Sequence, residues 1–285
     1  MKNRPVLALA ASLVLAACVL AGNAAGSSAL HVTATAQFPA WSTYPMRFDP
    51  VNDALWFVEI DDANVVSLVK LNPATLAVEH STTADVQGAA FYDLAIGLGH
   101  EWVVNWVADY SDPSAIGSIS EYDAAGNFVK TISSYGHGPN GVAFLDGKLW
   151  VANHHQDAPG TSGSVVEIDP STGNLLARVR VGAQIRCCGP TELAAADGAI
   201  WVGVPNLNGI VRIDPTTLAT SLIPGGNGGG QDPLGACGGF AGDPATHRLW
   251  LTDAFCRPSS ILQLDTSSGT VTGSINPGGV AAGLA

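Results

Sequence analysis

The chain is poor in basic residues. Its 285 residues include 12 Lys and Arg against 24 Asp and Glu, a formal net charge of −12. Two of the bases, Lys2 and Arg4, lie in a predicted export signal, so the mature chain would carry 10 bases against 24 acids, a net charge of −14. A surface of this sign repels polyphosphate backbones. The composition therefore predicts no nucleic-acid partner.

The chain begins with an apolar stretch that is too short to cross a bilayer. Residues 6–17 follow Lys2 and Arg4 and have the length of the apolar core of a signal peptide. We therefore predict that residues 1–29 are an export signal and tether, and that residues 30–285 form the folded domain. The protein is expected outside the cytoplasm.

The export signal ends in one of two ways. The sequence Leu-Ala-Ala-Cys at residues 15–18 resembles a bacterial lipobox, in which Cys18 is acylated and becomes the mature N-terminus. The alternative is ordinary cleavage near Ala24 or Ala25, which leaves a secreted protein. The protein is thus either a cell-envelope lipoprotein, held at the membrane only by its lipid anchor, or freely secreted.

Cysteine is scarce, with 5 residues, and after Cys18 an even set remains: Cys187, Cys188, Cys237 and Cys256. In an oxidising compartment two disulfides are the default for such a set, and three connectivities stay open. Zinc is the weaker interpretation because Cys187 and Cys188 are adjacent and lack the spacing of a metal knuckle.

The chain contains a repeat that is marked by tryptophan. Five tryptophans recur at intervals of 46, 48, 51 and 49 residues: Trp56, Trp102, Trp150, Trp201 and Trp250. A second marker follows each tryptophan at the start of a predicted turn: Asn72, Asp123, Asp169, Asp214 and Asp265. Short strands repeating every 45 to 50 residues are typical of a β-propeller, in which each repeat is one four-stranded blade.

The repeat predicts an all-β propeller with five complete blades and a partial sixth, as in a truncated six- or seven-bladed protein. Blade three is the clearest, with strands a to d at residues 141–145, 148–153, 164–169 and 175–181. Residues 30–38 alternate like an outer strand and residues 277–285 suffice only to begin an inner strand, so together they predict the partial blade. The repeated tryptophans are expected to be core residues between blades.

Aromatic and titratable residues gather in the loops that join strand d to strand a and strand b to strand c. These loops emerge on one face, where binding chemistry is usual. The candidate ligand-binding residues are Trp41, Tyr44, Trp106, Tyr110, His137, Asn153, His154 and His155. The candidate catalytic residues are His137, His154 and His155, and the candidate metal ligands are Glu59, Asp109 and Asp157, for Mg²⁺ or Ca²⁺. The structural alternative is that these are exposed loop residues, and that Asn153 and Glu59 only tie down neighbouring loops.

Residues 137–153 and 163–170 resemble the repeats of the streptogramin-lyase, NHL and YVTN group of propellers. Streptogramin lyases open a lactone with a magnesium ion and carry Pro-His-Gly and Trp-Phe-x-Glu motifs. Residues 56–59, Trp-Phe-Val-Glu, match the second motif. His137 starts an inner strand in another blade, where Asn153 stands in place of the acid.

We therefore expect an exported propeller that binds a small molecule, glycan or protein through one face, without assured catalysis. The alternative that the resemblance implies is a metal-dependent lyase or a lactone hydrolase like the gluconolactonases.

Overall fold

The computed structural model of the protein describes residues 42–60, 65–83, 89–107, 116–155, 161–182, 189–225, 239–243, 246–252 and 261–275. These residues form twenty strands in five four-stranded antiparallel sheets. Blade one contains β1 (Ser42–Asp49), β2 (Ala54–Ile60), β3 (Val66–Leu71) and β4 (Val78–Thr83). Blade two contains β5 (Ala89–Gly97), β6 (His100–Val107), β7 (Ile116–Asp123) and β8 (Phe128–His137). Blade three contains β9 (Pro139–Leu145), β10 (Lys148–Asn153), β11 (Ser164–Ile168) and β12 (Leu175–Arg180). Blade four contains β13 (Leu193–Ala196), β14 (Ala199–Val204), β15 (Gly209–Ile213) and β16 (Thr220–Pro224). Blade five contains β17 (Phe240–Asp243), β18 (Arg248–Thr252), β19 (Ile261–Asp265) and β20 (Thr270–Ile275).

The five sheets are the blades of a β-propeller. Strands pair in chain order within each sheet, and the first strand of each blade contacts the first strand of the next blade, from β1 through β17. The predicted strands of blade three are confirmed to within two residues at every end. The partial sixth blade was predicted from residues 30–38 and 277–285, which lie outside the described residues.

The repeated tryptophans form the contacts between blades. Each lies on the second strand of its blade, and the first four pack on apolar side chains of the blade that follows. Trp56 packs with Leu94 and Val103, Trp102 with Val142 and Leu149, Trp150 with Leu193 and Ile200, and Trp201 with Phe240 and Leu249. These four side chains are at most 1% exposed, which confirms the predicted core role. Trp250 of blade five is only half-buried.

The second marker caps the turn between the third and fourth strands of each blade. In blade four, Asp214 accepts the backbone N–H groups of Thr216 and Thr217 through Oδ1, and its backbone carbonyl accepts the N–H of Leu218. In blade five, Asp265 caps Ser267 and Ser268 in the same way. A short polar side chain that satisfies backbone N–H groups defines an Asx turn. The marker therefore fixes the turn, as its position in the sequence predicted.

The turns between first and second strands are tight where the sequence has Asp-Gly. Asp146 and Gly147 have φ of 50° and 75°, and Asp197 and Gly198 have φ of 50° and 63°. Two consecutive residues with positive φ are the requirement of the type I′ hairpin turn, which favours Asp-Gly. These turns join the first two strands of blades three and four.

Within the part of the chain that the structure describes, no helix is long and apolar enough to span a membrane.

Candidate functional site

The strand order gives the propeller two different faces. We call the turn face the side that carries the hairpin turns before the second strand and the Asx turns of each blade. We call the loop face the side that carries the connections from the second to the third strand and from each blade to the next. The loop-face segments include most of the residues that the sequence singled out.

Three histidines meet on the loop face where blade two passes into blade three. β8 ends at His137, and β9 begins two residues later. The backbone N–H of His154 donates to the carbonyl of Gly138 at 2.9 Å, and that of His155 donates to the carbonyl of His137 at 3.1 Å. The rings of His154 and His155 meet edge to face, with centroids 5.2 Å apart. The structure thus brings together His137, His154 and His155, whose binding or catalytic role stays a prediction.

His154 is held as a neutral imidazole. Its pKa is lowered to about 4, mainly by burial and also by the charge of His155, while hydrogen bonds with the backbone at Pro190 and Gly189 oppose the shift. Gly189 precedes blade four, so His154 lies between blades three and four. A neutral imidazole has the protonation state required of a metal ligand or a general base.

Gly138 shapes this cluster. Its φ is +59°, a conformation that favours glycine, and a Cβ at this position would lie 2.4 Å from Cδ2 of His155. The His155 ring therefore packs directly over the glycine backbone. Any side chain at position 138 would displace it.

The side chain of Asn153 has a structural role. It is fully buried, and its Nδ2 donates to the carbonyl of Ser134 at 3.0 Å. Asn105 occupies the equivalent position in blade two, is also fully buried, and donates to Ser118 and Ser120. This geometry fits the structural alternative for these positions, in which the amides tie strands together.

The other predicted site residues lie at the margins of the described chain. Tyr44 lies on β1, Trp106 on β6, and Glu59 near the end of β2, where its side chain is half-buried. The predicted residues outside the described ranges are Cys18, Trp41, Asp109, Tyr110, Asp157, Cys187, Cys188, Cys237 and Cys256. Among the residues that are described, no group of three or more His, Cys, Asp and Glu is placed to hold a metal ion.

A charged cluster that was not predicted from the sequence lies where the inner strands meet. Asp93 on β5 is 2% exposed; its carboxylate lies 2.7 Å from Nη2 of Arg47 on β1 and accepts the backbone N–H of Val142 on β9 at 2.9 Å. Burial raises the pKa of Asp93, although Arg47 and the N–H groups of Val142 and Leu94 oppose the shift. One carboxylate therefore joins the first three blades.

Glu192 stands just before β13 at the position in blade four that Asp93 occupies in blade two, two residues before the alanine paired with the repeated tryptophan. Burial raises its pKa to about 8, and the charge of Asp93 adds to the shift. Blades three and five have Gly141 and Gly239 at this position. An alignment of the blades shows an acid in blades two and four where blades three and five have glycine, and this difference is the sequence signal for the buried acids.

Comparisons with known proteins support the fold alone. No protein-family model and no curated protein matches the sequence. The structure is similar to a chain in the crystal structure of the nidogen/laminin complex, with 14% identity, a TM-score of 0.62, and coverage of 87% of this chain and 86% of that chain.

Two further solved structures are similar. U3-55K is 11% identical with a TM-score of 0.55, and the WD40 repeats of RRP9 are 13% identical with a TM-score of 0.55. Each comparison covers 82% of this chain, but 64% of the U3-55K chain and 63% of the RRP9 chain, so this chain spans less than two thirds of either. WD40 repeats are propeller blades. These comparisons bear out a propeller repeat in general and do not single out the streptogramin-lyase, NHL and YVTN group.

Proposed function

We propose that the protein is an exported β-propeller that binds a ligand or a protein partner through its loop face. The observation that carries the proposal is the meeting of His137, His154 and His155 at the junction of blades two, three and four. In the sequence, the connections assigned to this face differ in length and contain polar and aromatic residues, whereas the described turns of the turn face are short. Binding residues concentrate on loops that a rigid scaffold positions.

The similarity to other propellers is compatible with this proposal. One similar chain belongs to a protein–protein complex, that of nidogen with laminin. At 14% identity this likeness supports the fold, and the choice of binding partner for the present protein rests on its own residues.

Photo-cross-linking in intact producing cells tests the loop face. We would place p-benzoylphenylalanine at position 155, and at position 51 as the control, because Val51 is 84% exposed in a turn on the opposite face. We expect a covalent adduct, detected as a mass shift of the purified protein, from position 155 and not from position 51. An adduct from position 51 alone, or from neither position, contradicts the proposal.

The route of export is tested at Cys18. If the cysteine is acylated, Cys18→Ser should move the protein from the membrane fraction to the soluble fraction. A soluble wild-type protein whose mature N-terminus lies near Gly26 would instead support ordinary cleavage and secretion. Retention of the unprocessed precursor in the cytoplasm would contradict export altogether.

The lyase or lactone hydrolase implied by the resemblance is an alternative outcome of the same work. Such an enzyme would bind Mg²⁺ or Ca²⁺ and open a lactone only in its presence. Lactone opening that chelator abolishes and Mg²⁺ restores would replace the binding proposal with this one.

We also propose that residues 30–38 belong to a partial sixth blade beside Trp250. The half-burial of Trp250 supports a further element there. Deletion of residues 30–38 should then speed hydrogen exchange in β18 and leave β14 unchanged. Unchanged exchange in β18 would rule out this position for the segment.

A further inference from the structure

A second site lies on the turn face, away from the histidines. A pocket of about 550 Å³ opens between blades four and five, and its lining residues are Asp197, Arg212, His247, Thr266 and Ser267. Asp197 lies in the turn after β13, Arg212 on β15, and His247 in the turn before β18. Thr266 and Ser267 lie in the Asx turn of blade five. The pocket is therefore built from both blades at their junction.

Among the described residues, the cation in this pocket, Arg212, makes no hydrogen bond to the next blade, whereas cations at other junctions do. Lys70 pairs with Trp56 across blade one as Arg212 pairs with Trp201 across blade four. Nζ of Lys70 donates to the carbonyl of Ala124 in blade two at 3.1 Å. Lys130 of blade two likewise donates to the carbonyl of Pro170 in blade three at 2.7 Å.

Arg212 has no comparable contact. Within the residues that the structure describes, it makes no hydrogen bond and no salt bridge. Thr266 of blade five occupies the position of Ala124 in blade two and Pro170 in blade three. Its backbone carbonyl is therefore the counterpart of the carbonyls that accept the lysine hydrogen bonds at the other junctions. At this junction the guanidinium faces the pocket instead. A partner from solution is the remaining way to satisfy its five N–H donors.

A second donor in the pocket also lacks a partner. Thr266 is 7% exposed, and its Oγ1 is buried without a hydrogen bond. A buried hydroxyl without a partner is destabilising, so a hydrogen bond from Thr266 to a group bound in the pocket would be favourable. Arg212 and Thr266 thus supply a charged donor and a neutral donor to the same space.

The acids near the pocket are already engaged. Oδ1 of Asp197 lies 2.7 Å from Nδ1 of His247, so this carboxylate has a hydrogen-bond partner at the rim. Asp214 caps its own turn, and its pKa is lowered mainly by its hydrogen bonds with Thr217 and to a smaller extent by the charge of Arg212. Asp265 likewise binds the N–H and hydroxyl groups of Ser267 and Ser268. The planar guanidinium of Arg212 is the group best suited to a two-oxygen ligand.

We propose that the pocket between blades four and five binds an oxyanion, the phosphate, sulfate or carboxylate group of a ligand, through Arg212 and Thr266. The ligand chemistry is that of a single small anion, because the net charge of −12 opposes a polyanion. This site is independent of the loop face and of the function proposed for it.

Titration of the ¹⁵N-labelled protein with inorganic phosphate tests the proposal. We expect saturable shifts centred on the five lining residues and on the Nε–Hε signal of Arg212. Arg212→Gln should weaken binding about tenfold or more, as loss of a hydrogen bond to a charged group does. Arg180→Gln is the matched control, because it removes one positive charge from an exposed position on β12 and should change the affinity by less than about twofold.

Three further results sharpen or overturn the assignment. Thr266→Val keeps the shape of the side chain and should weaken phosphate binding about threefold or more without loss of fold in near-ultraviolet circular dichroism. Parallel titrations with sulfate and acetate distinguish a phosphate-type ligand from a carboxylate. Shifts that do not saturate, or that persist unchanged in a folded Arg212→Gln protein, would overturn the site.

Discussion

Blades four and five carry the same repeat and bury it to different degrees. Ala194, Trp201 and Ile210 of blade four are 6%, 1% and 0% exposed. The residues in the same positions of blade five are Ala241, Trp250 and Ile261, and all three are half-buried. The sheets are alike, with the tryptophan paired to the first and third strands in both. A repeated tryptophan is therefore buried by the following blade and not by its own sheet.

The residues around the two tryptophans follow this difference. Trp201 has Ala199 two residues before it, whereas Trp250 has the charged Arg248. Blade five in turn supplies Phe240, Leu249 and Leu251 to cover Trp201. Blade five is thus apolar toward blade four and more polar on the side of Trp250, as suits a sheet that is packed fully on one side only.

The largest expected effect on stability comes from replacing the tryptophans of blades four and five. Trp201→Ala should lower the free energy of unfolding by about 3–5 kcal/mol, because it leaves a cavity in a fully packed core. Trp250→Ala should cost about half as much, since part of its surface is already in solvent. Urea unfolding of the two variants measures the difference. Equal losses would show that Trp250 is as well packed as Trp201.

The cysteines are expected to link the chain around these two blades. Cys187 and Cys188 precede blade four, Cys237 precedes blade five, and Cys256 follows β18. We predict that all four are oxidised, with each disulfide adding about 2–4 kcal/mol by restricting the unfolded chain. Thiol titration of the denatured protein, without reductant, checks this. Four reactive thiols would contradict it and would reopen the possibility of metal binding.

A pH-dependent effect of about 2–4 kcal/mol is expected where an acid replaces an apolar repeat residue. Glu101 of blade two is fully buried at the position that Ile200 and Leu249 hold in blades four and five, and neither carboxylate oxygen has a hydrogen bond. Burial raises its pKa to about 8, and Asp49 adds to the shift. The folded protein therefore holds this proton more tightly than the unfolded chain does. The stability it gives is fully present below pH 4.5 and is lost as the pH rises toward 8.

Glu101→Gln should remove this part of the pH dependence and raise the stability at pH 8. Urea midpoints between pH 5 and 8 measure it, with Glu79→Gln on exposed β4 as the control. A wild-type slope that survives in Glu101→Gln would assign the proton to another group, with Glu192 the next to replace.

The smallest effect should be equal in the two blades. Asp214→Ala and Asp265→Ala each remove an exposed Asx turn, and neither turn depends on a following blade. Each should lower the thermal midpoint slightly and by a similar amount, in contrast to the tryptophan pair. Hydrogen bonds with Ser267 and Ser268 lower the pKa of Asp265 to about 2, so its contribution is present above pH 3.8 and is lost as the pH falls toward 2. A large loss at only one turn would mean that it packs on a neighbour.

The sequence was sufficient for features that repeat within one blade. The spacing of the tryptophans placed strand b of blade three at its observed bounds, and the polar marker residues predicted the turns between the third and fourth strands. The proximity of His137 to His154 and His155 also followed from strand order, because the connections involved share one face. Periodicity reports local structure and the alternation of faces, and these need no knowledge of the neighbouring blade.

The remaining features depend on how blades meet. Asp93 stands 46 residues from Arg47 and 49 from Val142, and nothing local to β5 shows that the three converge. The half-burial of Trp250 and the lack of a hydrogen bond at Arg212, within the described residues, likewise depend on the adjacent blade. In each case the repeat gave no information about the contact across the junction.

The carboxylate of Asp93 also has a consequence for synthesis of the chain. Its partners come from blades one and three, so a nascent chain that ends within blade two has Arg47 available but not the N–H of Val142. Domains fold as their segments leave the ribosome, N-terminal parts first. Burial of the Asp93 carboxylate becomes favourable only after blade three has emerged and supplied the N–H of Val142. The first three blades should therefore acquire native structure together during translation. Blades four and five should then pack onto this folded unit.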